Sequence, residues 1–489
     1  MPINLKQLFI KCRIFIFGIF ISVFATTINF NCYAAYSPVG YTIKTIETPA
    51  DVRFHVTGLD IDKDGSVVCA TRIGDIWRLK NNTWQLIANG LHEPTGLLIE
   101  EQGTLLVAQK PELTRLFDSD NDGVFDEYIR IADGWEFHDN YHEFNFGPVK
   151  DLQGNIYGAL NLGHQTPDAF KYGGMDSAGG YRGWAYRVTP TGKFEPWAYG
   201  LRSPAGMGVS PKGEIFFSDN QGDWVGTSKI HLLRQNEFYG HPASLIDLPE
   251  FSREKVAAMT PDDFNKMREL PNIWIPHQEV ANSPGNLVWN STGGKFGPFE
   301  NQIFVGDQTQ SNIFRVLLDK VSGEYQGAVI TFMDGFQSGN IRLAFDKQGG
   351  LWVGQTARGW AARGGKPFGL EKVEWDGTQP FELETIKLNS NGFKLTFTQN
   401  IAKNTIDASS FAVSHWHYHY NQKYGSPKVD VTPVQVTSAK STTNPKELEI
   451  SVPLVRNKVY GIRFDGITSK TGKKPSSSTV YYTLNKLYQ

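Results

Sequence analysis

Apolar and polar positions along the chain fall into a unit that repeats: a short alternating run, a turn centred on glycine, then a second apolar run. It reads GLDIDKDGSVVCATRIGDIWRLK from Gly58 and GLLIEEQGTLLVAQKPELTRLFD from Gly96. It returns as FNFGPVKDLQGNIYGALN from Phe144 and GMGVSPKGEIFFSDNQGDW from Gly206. The last two copies are NLVWNSTGG and its continuation from Asn286, and RLAFDKQGGLWVGQTARGW from Arg342. The D-x-x-G turn joins two strands into a hairpin, and runs such as WRLK and FRVLL supply further strands. A hairpin of this kind cannot bury both faces alone, whereas four-stranded units stacked radially can. The pattern therefore predicts an all-β chain with a six-bladed β-propeller over residues 36–380. A seventh blade founded on the strand near Tyr41 is the alternative.

From about Phe381 the rhythm changes to short alternating strands with polar turns, as in NGFKLTFTQNIAKNTIDASSFAVSHWHYHY. This predicts an accessory β-sandwich of immunoglobulin-like size over residues 381–489. The one insertion with helical signals is LPEFSREKVAAMTPDDFNKMREL from Leu248, where Thr260 caps a helix that opens on Pro261. Its expected place is over one propeller face, as a lid or a packing element.

The first 35 residues do not fit this plan. Lys6, Lys11 and Arg13 precede an apolar run from Ile14 to Phe24, which is shorter than the about 20 residues that a spanning helix needs. Small residues follow at Ala34 and Ala35, so residues 1–35 read as a cleaved signal peptide of a periplasmic or secreted protein, with no membrane span after cleavage. Of the three cysteines only Cys69 lies beyond that segment, so no internal disulfide is available and stability must come from packing or a bound metal. The net charge of −2 argues against nucleic acid as the main partner. A 13% aromatic content suits aromatic-lined carbohydrate sites as well as short strands joined by tight turns.

Four constellations carry chemistry. Asp118, Asp120 and Asp122 alternate ahead of Gly123, with Asp126 following, a spacing that wraps carboxylates around a hard cation such as calcium. Glu127 comes too soon for a full EF-hand loop, so the site would be a shorter, structural one; an ordinary acidic turn is the alternative. His142 stands on an inter-blade loop as a candidate general base or cofactor contact. His164, Arg202, Tyr239, His241 and His277 fall at comparable loop positions. Arg202 is suited to hold a carboxylate in two-pronged fashion, unless it serves as an ion pair between blades. Arg358 and Lys366 flank a glycine-rich loop that would face the same channel. His415, His417 and His419 share one strand face, which reads first as an exposed polar face opposite Trp416 and second as a zinc or copper site.

The segments GLRSPAGMGVSPKGEIFFSDNQGDWV, EFYGHPAS, IWIPHQEVANSPG, VGQTARGW and YHYNQKYGSP resemble secreted proteins of planctomycetes and related bacteria. That group is related to soluble glucose and sorbosone dehydrogenases, whose quinone-binding propeller carries a G-L-R-N-P motif. The resemblance to the secreted group covers nearly all of the chain after residue 35; that to the dehydrogenases is confined to the propeller. Two departures stand out: Ser203 replaces the motif's asparagine, and no C-x-x-C-H haem attachment is present. The resemblance implies a sugar dehydrogenase with pyrroloquinoline quinone in the channel and an external electron acceptor. In it His142 takes the substrate proton while Arg202, Arg358 and Lys366 hold the quinone. A lyase for uronate-containing polysaccharides is the second reading. There Arg202 neutralises the uronate, His142 or His164 abstracts the proton, and Tyr186 or Tyr239 protonates the leaving oxygen. A non-catalytic carbohydrate-binding propeller is the third.

Overall fold

Each sequence repeat becomes a hairpin built on one turn. Gly65 donates its amide to the Asp62 carbonyl at 3.0 Å, and Gly103 does the same to Glu100 at 2.9 Å. Both glycines sit at positive φ, 87° and 88°, where a side chain would be strained, which explains the glycine at the fourth turn position. The strand after the turn is the most apolar of each unit: Val67–Thr71 is buried at every position, whereas the outer strand Thr83–Ala88 alternates. This structure is a computed structural model and describes residues 36–138, 140–164 and 174–488. The expected signal peptide, residues 1–35, lies outside the described residues.

Among the described residues the fold is all-β and propeller-like, made of antiparallel sheets in chain order. The first sheet covers residues 56–88, the second 96–132, the third 145–199 and the fourth 206–274. The fifth starts at residue 284 and the sixth covers 340–375. Their innermost strands are Val56–Ile61, Gly96–Ile99, Asn145–Lys150, Gly206–Val209, Pro284–Trp289 and Asn340–Phe345. Each touches the next, and the last touches the first, so the inner strands enclose an axis. The strand Tyr41–Ile46 founds no sheet of its own. It pairs antiparallel with Phe368–Trp375 as the outer strand of the sixth sheet, from Tyr41 opposite Trp375 to Ile46 opposite Leu370. Tyr41 anchors this clasp in an aromatic cluster, donating its hydroxyl to the Phe296 carbonyl at 2.7 Å.

The described residues form one compact unit. The reason is a shared sheet: Gly327–Val329 of the fifth sheet pair with Tyr481–Thr483, so the C-terminal strands extend that sheet to eight. A second four-stranded sheet, beginning with Leu383–Asn389, encloses a core with it. Phe393, Leu395, Ile450 and Ile462 meet Leu317, Ala328 and Ile330 of the fifth sheet there.

The insertion after Leu248 forms two short helices, Arg253–Ala258 and Pro261–Met267. Thr260 and Asp263 make a reciprocal capping box at the start of the second, and its Phe264 packs with Trp224 and Phe238. No described helix is long and apolar enough to cross a membrane. On the histidine-bearing strand Trp416 is buried, as expected, while the Lys458 ammonium lies 3.0 Å from His417 Nδ1, where it opposes a cation.

Candidate functional site

The ends of the inner strands open into a cavity of about 350 Å³, a volume typical of small-ligand sites. All six sheets reach it, through Thr57, Thr95, Phe146, Ala205, Ser283 and Ile341. Beneath it the buried Arg342 guanidinium donates to the carbonyls of Thr57, Thr95, Ala205 and Ile341 at 2.7–2.9 Å. These donors fix four inner strands around one cation, and burial without a carboxylate lowers its pKa to about 9.

One side of the cavity is cationic. Glu93 takes Arg72 at 3.2 Å, Lys110 at 3.1 Å and Arg358 at 3.5 Å. Burial pushes the Glu93 carboxyl up, but the three cations outweigh it and hold it ionised below its ordinary value. One carboxylate against three cations leaves a positive excess, and Arg72 and Arg358 both line the cavity. On another side Arg202 donates through Nε to Asp223 at 2.8 Å, and Asp223 also faces His241 Nε2 at 3.0 Å. Burial raises the Asp223 carboxyl, yet His241 and Arg202 together hold it well below the carboxylate range. The guanidinium packs flat on Gly222, where a Cβ would lie 1.9 Å from Nε, so only glycine admits this arginine.

His142 is 3% exposed. Its Nδ1 lies 3.1 Å from the Leu162 carbonyl, which can only accept, so Nδ1 carries the proton and Nε2 keeps its lone pair. Burial above all, then the nearby charges of Arg202 and His164, lower its pKa to about 3. The ring is therefore neutral at neutral pH. His164 lies 6.3 Å from it and Trp360 5.7 Å, ring to ring. Three buried polar atoms among the lining residues have no partner: Asn161 Oδ1, Asn220 Oδ1 and His277 Nδ1. Unsatisfied atoms of this kind imply a ligand or water.

Of the residues singled out in the sequence, the fold gathers His142, His164, Arg202, Arg358 and His277 around this cavity. Tyr186 and Tyr239 do not reach it. Tyr186 stacks on Trp135 at 4.9 Å and its hydroxyl donates to Asn145 Oδ1 at 3.0 Å, inside the third sheet's packing. Tyr239 donates to the Leu232 carbonyl at 2.8 Å, with its ring against Phe217. Both rings are completely buried: Tyr186 packs between sheets from its strand Trp184–Val188, and Tyr239 lies in the loop after Lys229–Leu232. Lys366 is exposed and is absent from the cavity wall. His241 acts one step back, through Asp223. Arg72, Glu93, Asn161, Asn220, Trp360 and Tyr424 had drawn no role from sequence. Their signal was there for some: Arg72, Asn161 and Asn220 follow the second strand of their repeat, as Arg358 does, in VVCATR and IFFSDN.

Asp118, Asp120 and Asp122 bring one carboxylate oxygen each within 4.8 Å of one another at the edge of the second sheet. Asp126 stays out of this group, turned to the Ser119 amide at 2.9 Å and hydroxyl at 2.6 Å.

The family model described as domain of unknown function DUF7133 matches residues 80–327. A search of curated proteins finds no match. Among solved structures, an oxidoreductase described as a glucose dehydrogenase from Thermus thermophilus is similar, with 19% identity and a TM-score of 0.51. The match covers 68% of this chain and 100% of that one. A Trichoderma reesei protein of carbohydrate-active enzyme family AA12 shares 13% identity at a TM-score of 0.50, over 70% of this chain and 98% of its own. At these identities the likeness is one of fold.

Proposed function

We infer that this chain, which belongs to the DUF7133 family, is a quinone-dependent sugar dehydrogenase whose site is the cavity at the inner-strand ends. The observation that carries this is His142: a neutral imidazole, tautomer fixed by the Leu162 carbonyl, lining a cavity with an excess of cations. The description of the Thermus protein as a glucose dehydrogenase supports the same reading.

The residues present fit pyrroloquinoline quinone, a planar tricarboxylate. Arg72 and Arg358 offer guanidinium groups to its carboxylates, and the unpartnered His277 Nδ1 offers a further polar contact. When bound, the quinone supplies the two-electron acceptor. His142 Nε2 accepts the proton of the sugar hydroxyl, while Nδ1–H stays on the Leu162 carbonyl and steadies the imidazolium. A bound anion also raises the His142 pKa toward neutrality, which makes it a better base in the loaded protein. Arg202 gives Nε to Asp223, which leaves its terminal nitrogens for a ligand in the cavity that it lines. The lyase reading is weaker, because its proton donors Tyr186 and Tyr239 are buried away from the cavity.

The remaining assignments go with this reading. The six sheets are the blades of a six-bladed propeller, residues 381–489 an immunoglobulin-like accessory module, and residues 1–35 an export signal. Asp118, Asp120 and Asp122 are a structural calcium site. The test is to supply purified protein with calcium, pyrroloquinoline quinone, an artificial dye and a panel of aldoses. Aldose-dependent dye reduction that requires the quinone is the expected result. A quinone-independent ultraviolet chromophore from a polyuronate would replace the dehydrogenase with a lyase.

A further inference from the structure

We propose that the loop between Ala412–His417 and Val429–Val434 completes the ligand site, with Tyr424 as the face on which a pyranose ring of the substrate lies. This rests on the carbohydrate reading above. Tyr424 is 70% exposed, yet it lines the same cavity as His142 and Arg202. The Arg202 guanidinium stands 5.3 Å from its ring centroid, which leaves the rest of the ring open to the cavity.

The exposure is not that of a loose loop. The Trp224 amide donates to the Asn421 carbonyl at 3.0 Å, Gly425 to Gly222 at 2.9 Å and Ser426 to Gly226 at 2.7 Å. The Tyr420 hydroxyl donates to the Gly240 carbonyl. Gly425 sits at φ 67°, and a Cβ there would come within 2.9 Å of the Gln221 side chain. The loop is thus pinned at both ends of Tyr424, against the same segment that carries Asp223 and so positions Arg202. A large aromatic ring held fixed but uncovered offers its face to a ligand. The C–H face of a pyranose matches it, and Asn161, Asn220 and Gln221 on the same cavity wall suit the hydroxyls. Trp360, 39% exposed beside His142, provides a second aromatic surface. The family match ends at residue 327, so this wall comes from outside it.

The experiment compares whole-chain wild type, Tyr424→Ala and Tyr424→Phe, loaded with calcium and quinone and given glucose or cellobiose. Loss of one stacked ring raises KM about tenfold with kcat within about twofold in Tyr424→Ala, and Tyr424→Phe stays near wild type. The quinone Kd is the same in all three. Calorimetric titration of the same sugars without quinone runs in parallel. Unchanged KM and unchanged sugar Kd in Tyr424→Ala overturn the proposal while the dehydrogenase reading stands. Loss of quinone affinity in that variant also overturns it, since the ring would then be a cofactor contact. If wild type binds no quinone but binds sugar through Tyr424, the dehydrogenase reading fails and this one holds. Wild type that binds neither sugar overturns both.

Discussion

Replacing His142 with glutamine tests the buried imidazole in two ways at once. The folded ring has a pKa of about 3, below the ordinary 6.5, because burial opposes its charge. Between those values the unfolded chain binds a proton that the folded chain does not, so stability is full above pH 6.5 and falls as pH drops toward 3. At about pH 5 the penalty spans about 1.5 in pH, which at 1.36 kcal/mol each is about 2 kcal/mol. Glutamine cannot titrate, so the variant escapes that share of acid destabilisation. Urea unfolding at about pH 7.5 and about pH 5 reads the difference: wild type should lose about 2 kcal/mol more than the variant. Dye reduction by the quinone-loaded protein should meanwhile fall by about a hundredfold to ten-thousandfold in kcat, as for a missing general base. Equal acid sensitivity in the two proteins would refute the buried neutral ring. Unimpaired turnover in the variant would refute its role as the base.

Other outcomes follow from separate parts of the molecule. Arg72→Ala and Arg358→Ala should each weaken quinone binding by about 2 kcal/mol, roughly thirtyfold in Kd, measured by fluorescence titration; unchanged Kd in both would move the carboxylates elsewhere. Calcium should raise the melting temperature, by about 2.7 kcal/mol of stabilisation at a hundredfold excess over Kd, and Asp120→Ala with Asp122→Ala should abolish the rise. A wild-type melting curve indifferent to chelator counts against the site. A chain ended after Pro380 should be insoluble, because Leu317, Ala328 and Ile330 lose their partners at about 1.5–3 kcal/mol for each large side chain. A monodisperse fragment that still binds quinone would show that the shared sheet is dispensable.

The sheets were legible because each repeat buries its strands in the same order, so the apolar runs and D-x-x-G turns recur at the same places. VVCAT reads as an unbroken apolar run, and it is buried throughout. His142, Arg202 and Arg358 were legible as loop residues of comparable repeats. The tyrosines were not, because local register and the path of a loop decide whether a side chain reaches the axis or the gap between sheets. Tyr186 lies at a register shift, between Ala185 and itself, that no periodicity announces. The Glu93 cluster was hidden since its members, Arg72, Lys110 and Arg358, come from three different repeats. The docking of the C-terminal segment on the fifth sheet was hidden, because the pairing of Gly327–Val329 with Tyr481–Thr483 joins segments far apart in the chain. Tyr424 inherits the same obscurity, since only that docking brings it to Arg202.

The most direct measurement is a crystal structure of the protein grown with calcium and pyrroloquinoline quinone. The quinone should lie in the cavity of about 350 Å³ with carboxylates on Arg72 and Arg358, and His142 should still donate Nδ1–H to the Leu162 carbonyl. A quinone bound elsewhere, or a cavity that stays empty at saturating quinone, would contradict it.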